Sequence, residues 1–306
     1  MRKNYPRTLL EFEHWFRSEE SCRAYLIRLR WPDGFRCSRC AHSSAWTAKS
    51  GLMRCQGCRR KTSVTAGTIF QDSHLPLRLW FRAMWLLTNQ KTGMSALGLQ
   101  RALGLGSYRT AWICLHKLRR AMVRPGREAL SGEVEVDETL VGGREKGSGG
   151  RHIGKKSLVI IAAEVRGPGT GRIRIQQIPD TSKEHLMAFI QEAIVPGSVV
   201  ITDGLPVYTN VTKLGYGHLP KVPKSGREEA SRLMPRIHHA ASLLKRWLLG
   251  IHHGSFSKLQ LSYYLDEFAF RFNRRRSADR GQLFYRLAQQ AVTIKATTLD
   301  EIKHGA

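Results

Sequence analysis

What this sequence lacks narrows its function first. Its 306 residues contain no stretch of about 18 apolar residues, the length needed to cross a bilayer, and no signal-peptide pattern. A membrane partner and export are therefore set aside, and the expected location is the cytoplasm. The longest apolar runs are short, such as Leu158 to Val165, and read as buried strands. Internal repeats and long low-complexity segments are missing too. Acidic residues are scarce: 24 Asp and Glu stand against 50 Lys and Arg, a formal net charge of +26. Such an excess favours a polyanionic partner, because each phosphate neutralised releases a condensed counterion. Ribosomal proteins are equally basic, so the charge names a class of partner, nucleic acid, and no activity. Hydrophobic residues at 42% are enough for a globular core.

Cysteines are few, but four of the six fall in one pattern: Cys37, Cys40, Cys55 and Cys58, with Cys22 and Cys114 apart. In a reducing compartment paired Cys-x-x-Cys motifs indicate metal and not disulfides. The pairs are separated by 14 residues. Each forms a knuckle that aims two thiolates at one ion, and two knuckles complete the tetrahedral sulfur shell of a structural zinc. Arg36, Arg39, Arg54, Arg59, Arg60 and Lys61 lie around them and help keep thiolates ionised. With four sulfurs no coordination position is expected to stay open, so this zinc would staple a segment too small for its own core, while the basic loops would touch DNA.

The spacing of apolar residues divides the chain. Residues 1–30 form an N-terminal helical segment, 31–70 the zinc segment, and 71–128 a helical region. Residues 129–290 form an α/β unit, and 291–306 a tail. Within the helical region, Gly104 and Gly106 split two helices in the manner of a helix-turn-helix. Ser107 would cap the second, and Arg109, Thr110, Trp112 and His116 would face a groove or phosphates. An ordinary helical hairpin explains the same spacing. A linker with Pro125 and Gly126 follows. Then come a strand in "GEVEVDETLVGG", a Gly-rich basic segment "GREKGSGGRHIGKK" read as a mobile loop, and strands in "SLVIIAAEV" and "GRIRIQQI" joined at "RGPGTG". A helix runs from Ser182 to Ile194, a fourth strand in "SVVIT" ends at Asp203, and a fifth is placed near Tyr216. Helices over about 237–249 and 257–272 finish the unit, which gives a mixed sheet flanked by helices.

In so basic a chain, acidic residues at strand ends stand out. Asp137 lies in the first strand of this unit and Asp203 ends the fourth. If these strands are neighbours the carboxylates meet, and two juxtaposed carboxylates repel unless a cation lies between them. Hard oxygen ligands select Mg or Mn, and two such ions stabilise in-line attack at phosphorus. A strand-end salt bridge is the plainer reading of Asp137 alone. Strand alternation sets Glu133, Glu135 and Asp137 on one face and Glu138 on the other. In "RIHHAASLLKRWLLG", Ile237, Ala240, Ala241, Leu244 and Leu248 make an apolar stripe. His238, Ser242 and Lys245 make a neighbouring stripe, suited to a metal ligand and a phosphate contact, or to a half-exposed helix start. The run Arg274 to Arg276 is either a DNA contact or a solvated surface.

Together the paired cysteines, "TAGTIFQDSHLPLRLWF", "SYRTAWICLHKLRRAM", "GEVEVDETLVGG", "VVITDG", "SLLKRWLLGIHHG" and "YYLDEFAFRFNRR" resemble bacterial insertion-sequence transposases that join an N-terminal zinc ribbon to an ISXO-like DDE catalytic domain. The resemblance covers almost the whole chain. It implies an RNase H-like fold, Mg or Mn catalysis, cleavage at terminal inverted repeats, and joining of the 3′ ends to target DNA. It also implies a homo-oligomer, at least a dimer on DNA, in the nucleoid. Asp137 in "VEVDET" matches the family's first aspartate and Asp203 in "ITDG" its second. His238 stands where relatives commonly carry Glu, and Lys245 matches the basic residue seven positions later. Histidine is a poorer ligand for Mg than for Mn. Glu267 is the rival third ligand, although a helical pair with Arg271 explains it as well. A zinc-ribbon DNA-binding regulator that no longer cuts, or a structural RNA-binding protein, are the competing functions. The Asp137 and Asp203 pair sets the transposase apart from both.

Overall fold

The computed structural model describes residues 4–48, 50–124, 126–142, 156–222, 231–252 and 256–304. Most of the Gly-rich basic segment after Gly142, and Pro125 of the linker, lie outside them. The chain divides into two compact units. One comprises residues 1–125 with 277–306, the other 126–276.

The first unit opens with α1 (Leu9–Trp15) and α2 (Glu19–Arg30). Each has a hydroxyl cap. Thr8 accepts from the Glu11 N–H, and Ser18 and Ser21 form a reciprocal capping box. A three-stranded antiparallel ribbon follows, β1 (Ala45–Thr47), β2 (Met53–Cys55) and β3 (Lys61–Thr62). Then come α3 (Leu77–Asn89), α4 (Ala96–Leu103) and α5 (Tyr108–Arg120). Glu19 of α2 accepts from the Leu77 and Arg78 N–H groups, each at 2.9 Å, and so caps α3 from a distance. Gly104 ends α4 in the left-handed conformation, φ 62°, a turn that glycine makes at no steric cost.

Residues 277–306, which the sequence divides between the α/β unit and a tail, group instead with this first unit. The cause is an aromatic core. Phe284 of α9 (Arg280–Ala291) has its ring centroid 5.4 to 5.9 Å from those of Phe12, Phe16, Phe81 and Trp85. A short α10 (Leu299–His304) follows.

The second unit is built on a five-stranded mixed sheet: β4 (Glu133–Val141), β5 (Ser157–Arg166), β6 (Gly169–Ile178), β7 (Val199–Thr202) and β8 (Gly217–Pro220). Its order is β6-β5-β4-β7-β8. The first three strands are antiparallel in sequence order, and β7 and β8 run parallel to β4. Helix α6 (Lys183–Ala193) supplies the crossover that a parallel β7 requires. Alternation sorts the side chains to two faces. Val134, Val136, Ile160 and Ala162 pack under Leu186, Phe189 and Ile190 of α6 and under Tyr208 and Val211 of the 3-10 segment Pro206–Leu214. On the other face Val159, Ile161, Ile173 and Ile175 meet α7 (Pro235–His252) and α8 (Leu261–Asn273). The stripe of α7 that is buried there is Ile237, Ala240, Ala241, Leu244 and Leu248, the one its spacing predicts. This is the mixed sheet flanked by helices that the order of strands and helices in the sequence predicts.

Candidate zinc and acidic centres

The cysteine centre is built from two copies of one turn. The Cys37 N–H donates to the His42 carbonyl and the Ala41 N–H to the Cys37 carbonyl; Cys55 N–H to Arg60 and Arg59 N–H to Cys55 repeat the pattern. Ala41 and Arg59 occupy equivalent places in the two turns, and both have positive φ, 57° and 61°. The repetition places Cys37 Sγ 3.6 Å from Cys58 Sγ, and Cys40 Sγ 3.5 Å from Cys55 Sγ. All four ligand atoms lie within 4.8 Å of one another. Four sulfurs at ~2.3 Å from one zinc would lie ~3.8 Å apart, so the cluster fits that ion. Backbone N–H groups of Cys40 and Arg39 bring the Cys37 thiol down to about 6, which favours the thiolate a metal binds. Trp46 lies beneath two guanidiniums, Arg54 at 5.6 Å and Arg59 at 5.1 Å.

The helical pair α4 and α5 presents only part of the face assigned to DNA. Arg109 and Thr110 are exposed and Trp112 is half-buried. His116 is fully buried, with its ring 4.2 Å from that of Trp112, so it lies in the packing of the unit and not on a groove-facing surface. Ser107 sits at the N-cap of α5 without a side-chain cap hydrogen bond.

In the second unit the parallel register of β4 and β7 decides the acidic centre. Glu133 pairs with Val199, Val134 with Val200 and Glu135 with Ile201. The same offset, continued two residues past the last pair, matches Asp137 with Asp203. Asp203 is fixed by the Leu205 N–H, which donates to its Oδ1 at 3.0 Å, and Asp137 Oδ1 accepts from the Glu138 N–H at 2.8 Å. Glu138 points to the opposite face, as alternation requires. There it accepts a short hydrogen bond from the hydroxyl of buried Tyr208. Burial, the Glu138 charge, and then the charges of Asp137 and Asp203 raise the Tyr208 hydroxyl well above its ordinary range. One hydroxyl thus senses all three carboxylates.

Glu135, also on the Asp137 face, is 1% exposed. Its Oε2 accepts from the N–H groups of Arg236 and Ile237, both at 2.9 Å, and its Oε1 lies 3.4 Å from Arg236 Nη1. Glu135 therefore seats the start of α7 on β4 and sets the register of His238, the next residue of the helix. Burial raises its carboxyl above the usual range against the opposing pull of Ile237 and Arg236. His238 is half-buried in the first turn of α7, and Lys245 is exposed two turns on. Glu267 is fully buried in α8 and paired with Arg271 Nε at 2.8 Å. Among the described residues the one group of three or more candidate metal ligands is the four cysteines. Spacing gave no hint of Glu135 or Tyr208, whose partners lie 101 and 70 residues away.

Comparison with known proteins follows this division of the chain. Residues 129–273 match the ISXO2-like transposase domain, and residues 17–61 the transposase zinc-ribbon domain. An uncharacterised protein in the transposable element ISH50 of Halobacterium salinarum is 26% identical over 279 residues, which is 84% of this chain and 91% of that protein. Two solved structures of the Mos1 transposition system are similar in part. The pre-cleavage Mos1 transpososome aligns with 71% of this chain and 79% of its own, at 13% identity and a TM-score of 0.27. The Mos1 strand transfer complex aligns with 69% and 78%, at 15% identity and a TM-score of 0.21.

Proposed function

Because the chain belongs to the insertion-sequence transposases that join a zinc ribbon to an ISXO2-like domain, we propose that it cleaves DNA at the terminal inverted repeats of its element and joins the 3′ ends to target DNA. The observation that supports this reading is the parallel β4–β7 register, whose offset, continued two residues past its last pair, matches Asp137 with Asp203. A protein that only binds DNA has no use for two level carboxylates at the heart of a basic molecule. Asp137 and Asp203 would hold Mg or Mn, with His238 as the third ligand. Held there, such ions would supply activation of the attacking oxygen and charge stabilisation for the leaving one.

The chain's own groups do the rest. Asp137 and Asp203 are held by backbone N–H groups, so the ligand oxygens need little reorganisation. Glu135 keeps the first turn of α7, and with it His238, against the strand that bears Asp137. Lys245 on the same stripe supplies a point charge for a backbone phosphate. The cysteine cluster holds zinc as a staple, and its arginines and those of the second unit neutralise DNA phosphates. The protein would act as a homo-oligomer, at least a dimer, in the nucleoid.

The test uses duplexes of the DNA flanking the gene, incubated with protein in Mg or Mn. Asp137→Asn and Asp203→Asn should each bind as wild type does and lose cleavage by about 10³-fold, ~4 kcal/mol of transition-state stabilisation. Asparagine variants that cut at the wild-type rate would overturn the assignment of these residues. Wild-type protein that binds these ends but cuts in neither metal would make the chain a regulator.

A further inference from the structure

A second feature of the catalytic unit lies away from the acidic centre. A cleft of about 370 Å³ opens where the β5–β6 turn meets the start of α7 and the end of α8. Four basic side chains line it: Arg236, His239, Arg275 and Arg276, with Pro168 to Thr170 as the rim and no carboxylate among the lining residues. Three of them are guanidiniums, and of these only Arg236 has a carboxylate partner, Glu135, among the described residues, so the concavity favours an anion.

Two of the guanidiniums are fixed in advance. Arg236 is tied by Glu135 and by the Gly167 carbonyl, which accepts from Nη2 at 2.7 Å. Its Nε–H is screened from solvent and has no partner among the described residues, so one donor is left over. Arg275 donates to the carbonyls of Thr170, Gly171 and Phe272 and lies 4.0 Å over the Phe272 ring. Burial and the neighbouring Arg276 pull its pKa below the ordinary value, which marks a site where positive charge is crowded. Arg276 reaches over Gly169, where a Cβ would stand 3.1 Å from its Nη2; glycine leaves that approach open. The N-terminal N–H groups of α7 are already taken by Glu135, so an anion here is held by side chains and not by the helix end.

We infer that this cleft binds a backbone phosphate of DNA, at a distance from the phosphate that is cut. The inference rests on the transposase reading for its choice of DNA as the anion. At ~3.3 Å per residue, the two steps from Glu135 to Asp137 put the near edge of the cleft roughly 7 Å along β4 from the acidic centre. The turn at Gly167 lies further still. The scissile phosphate therefore belongs to Asp137 and Asp203, and the cleft takes one elsewhere on the duplex. The same Glu135 carboxylate touches the cleft arginine and seats the helix of His238, which joins the two places through one side chain.

His239 and Arg276 are exposed, so the double variant His239→Gln/Arg276→Gln tests the cleft, with its melting temperature measured beside wild type to show that it folds. Binding to a fluorescent duplex of about thirty base pairs of arbitrary sequence is measured against salt, because phosphate contacts do not read sequence. The double variant should bind roughly tenfold more weakly at low salt, and its slope of log K against log salt should be shallower by about 1. Arg286→Gln, on α9 of the other unit, serves as the control and should leave the slope unchanged. A double variant with wild-type affinity and slope overturns the cleft, while cleavage by wild type leaves the transposase reading standing. Wild-type protein that neither binds nor cuts DNA would overturn both.

Discussion

Single residues show where the chain tolerates cost for geometry. Ala41 and Arg59 adopt left-handed backbone in the two zinc turns, where an L-residue costs about 1–2 kcal/mol and glycine almost nothing. Ala41→Gly and Arg59→Gly should each raise the stability of the ribbon by about 0.5–1 kcal/mol, after allowing for glycine's larger unfolded-state entropy. Resistance to zinc stripping by a chelator reads this directly, and variants that lose zinc faster than wild type would contradict it. The third metal ligand is also a question of single residues. Glu267 is committed to Arg271 in the core of α8, whereas His238 sits in the first turn of the helix that Glu135 holds on β4. His238→Ala should therefore lose cleavage, His238→Glu should recover it with Mg, and wild type should favour Mn. Glu267→Gln should lower the melting temperature by removing the charge that pairs with Arg271 Nε. An active His238→Ala beside a stable but inactive Glu267→Gln would move the ligand to Glu267.

At the scale of elements, much was legible because helices and strands announce their buried faces by period. The stripe of α7, the turn between β5 and β6 and the alternation that separates Glu135 from Glu138 all follow from local spacing. What spacing cannot carry is the long-range partner. Glu135 reads as one acid among four in "GEVEVDET", and only the fold shows it capping a helix 101 residues on. His116 reads as a groove contact by its place in α5, yet that turn faces inward. Glu164 is a further case. It stands beside the irregular register of β5 and accepts from Arg172 Nε and Nη2 and from the backbone of Arg172 and Ser131. Burial opposes its ionisation, but Arg172 and these N–H groups outweigh it and leave the carboxyl below its usual range. A depressed carboxyl stabilises the fold above its unfolded pKa, ~4.3, and loses that contribution as pH falls through the folded value. Glu164→Gln should thus cost about 2 kcal/mol at neutral pH, and the gap to wild type should close in acid. Urea midpoints measured across pH 3 to 8 check it; a gap that stays constant would deny the ionised pair.

For the whole molecule, the division into two units has a consequence for zinc. The sheet unit carries two apolar clusters of its own, one on each face, and neither includes a cysteine of the quartet. The ribbon has a small cluster in which two of the four buried residues, Cys37 and Cys55, are themselves ligands. Apolar burial on that scale cannot order the ribbon without metal, since a few side chains at ~1.5–3 kcal/mol each do not offset ~1–2 kcal/mol per residue of backbone entropy. Folding of the ribbon is therefore metal binding, and folding of the sheet is not. Stripping zinc from the intact chain should abolish amide protection in β1, β2 and β3 while β5 keeps its slow exchange. DNA affinity should fall about tenfold or more, because the ordered arginines around Trp46 are lost while those of the second unit remain. Hydrogen exchange read by mass spectrometry, with and without chelator, separates these outcomes. Ribbon amides that stay protected in zinc-free protein would mean that packing and not metal holds the segment. Loss of protection in β5 as well would mean that the two units fold as one.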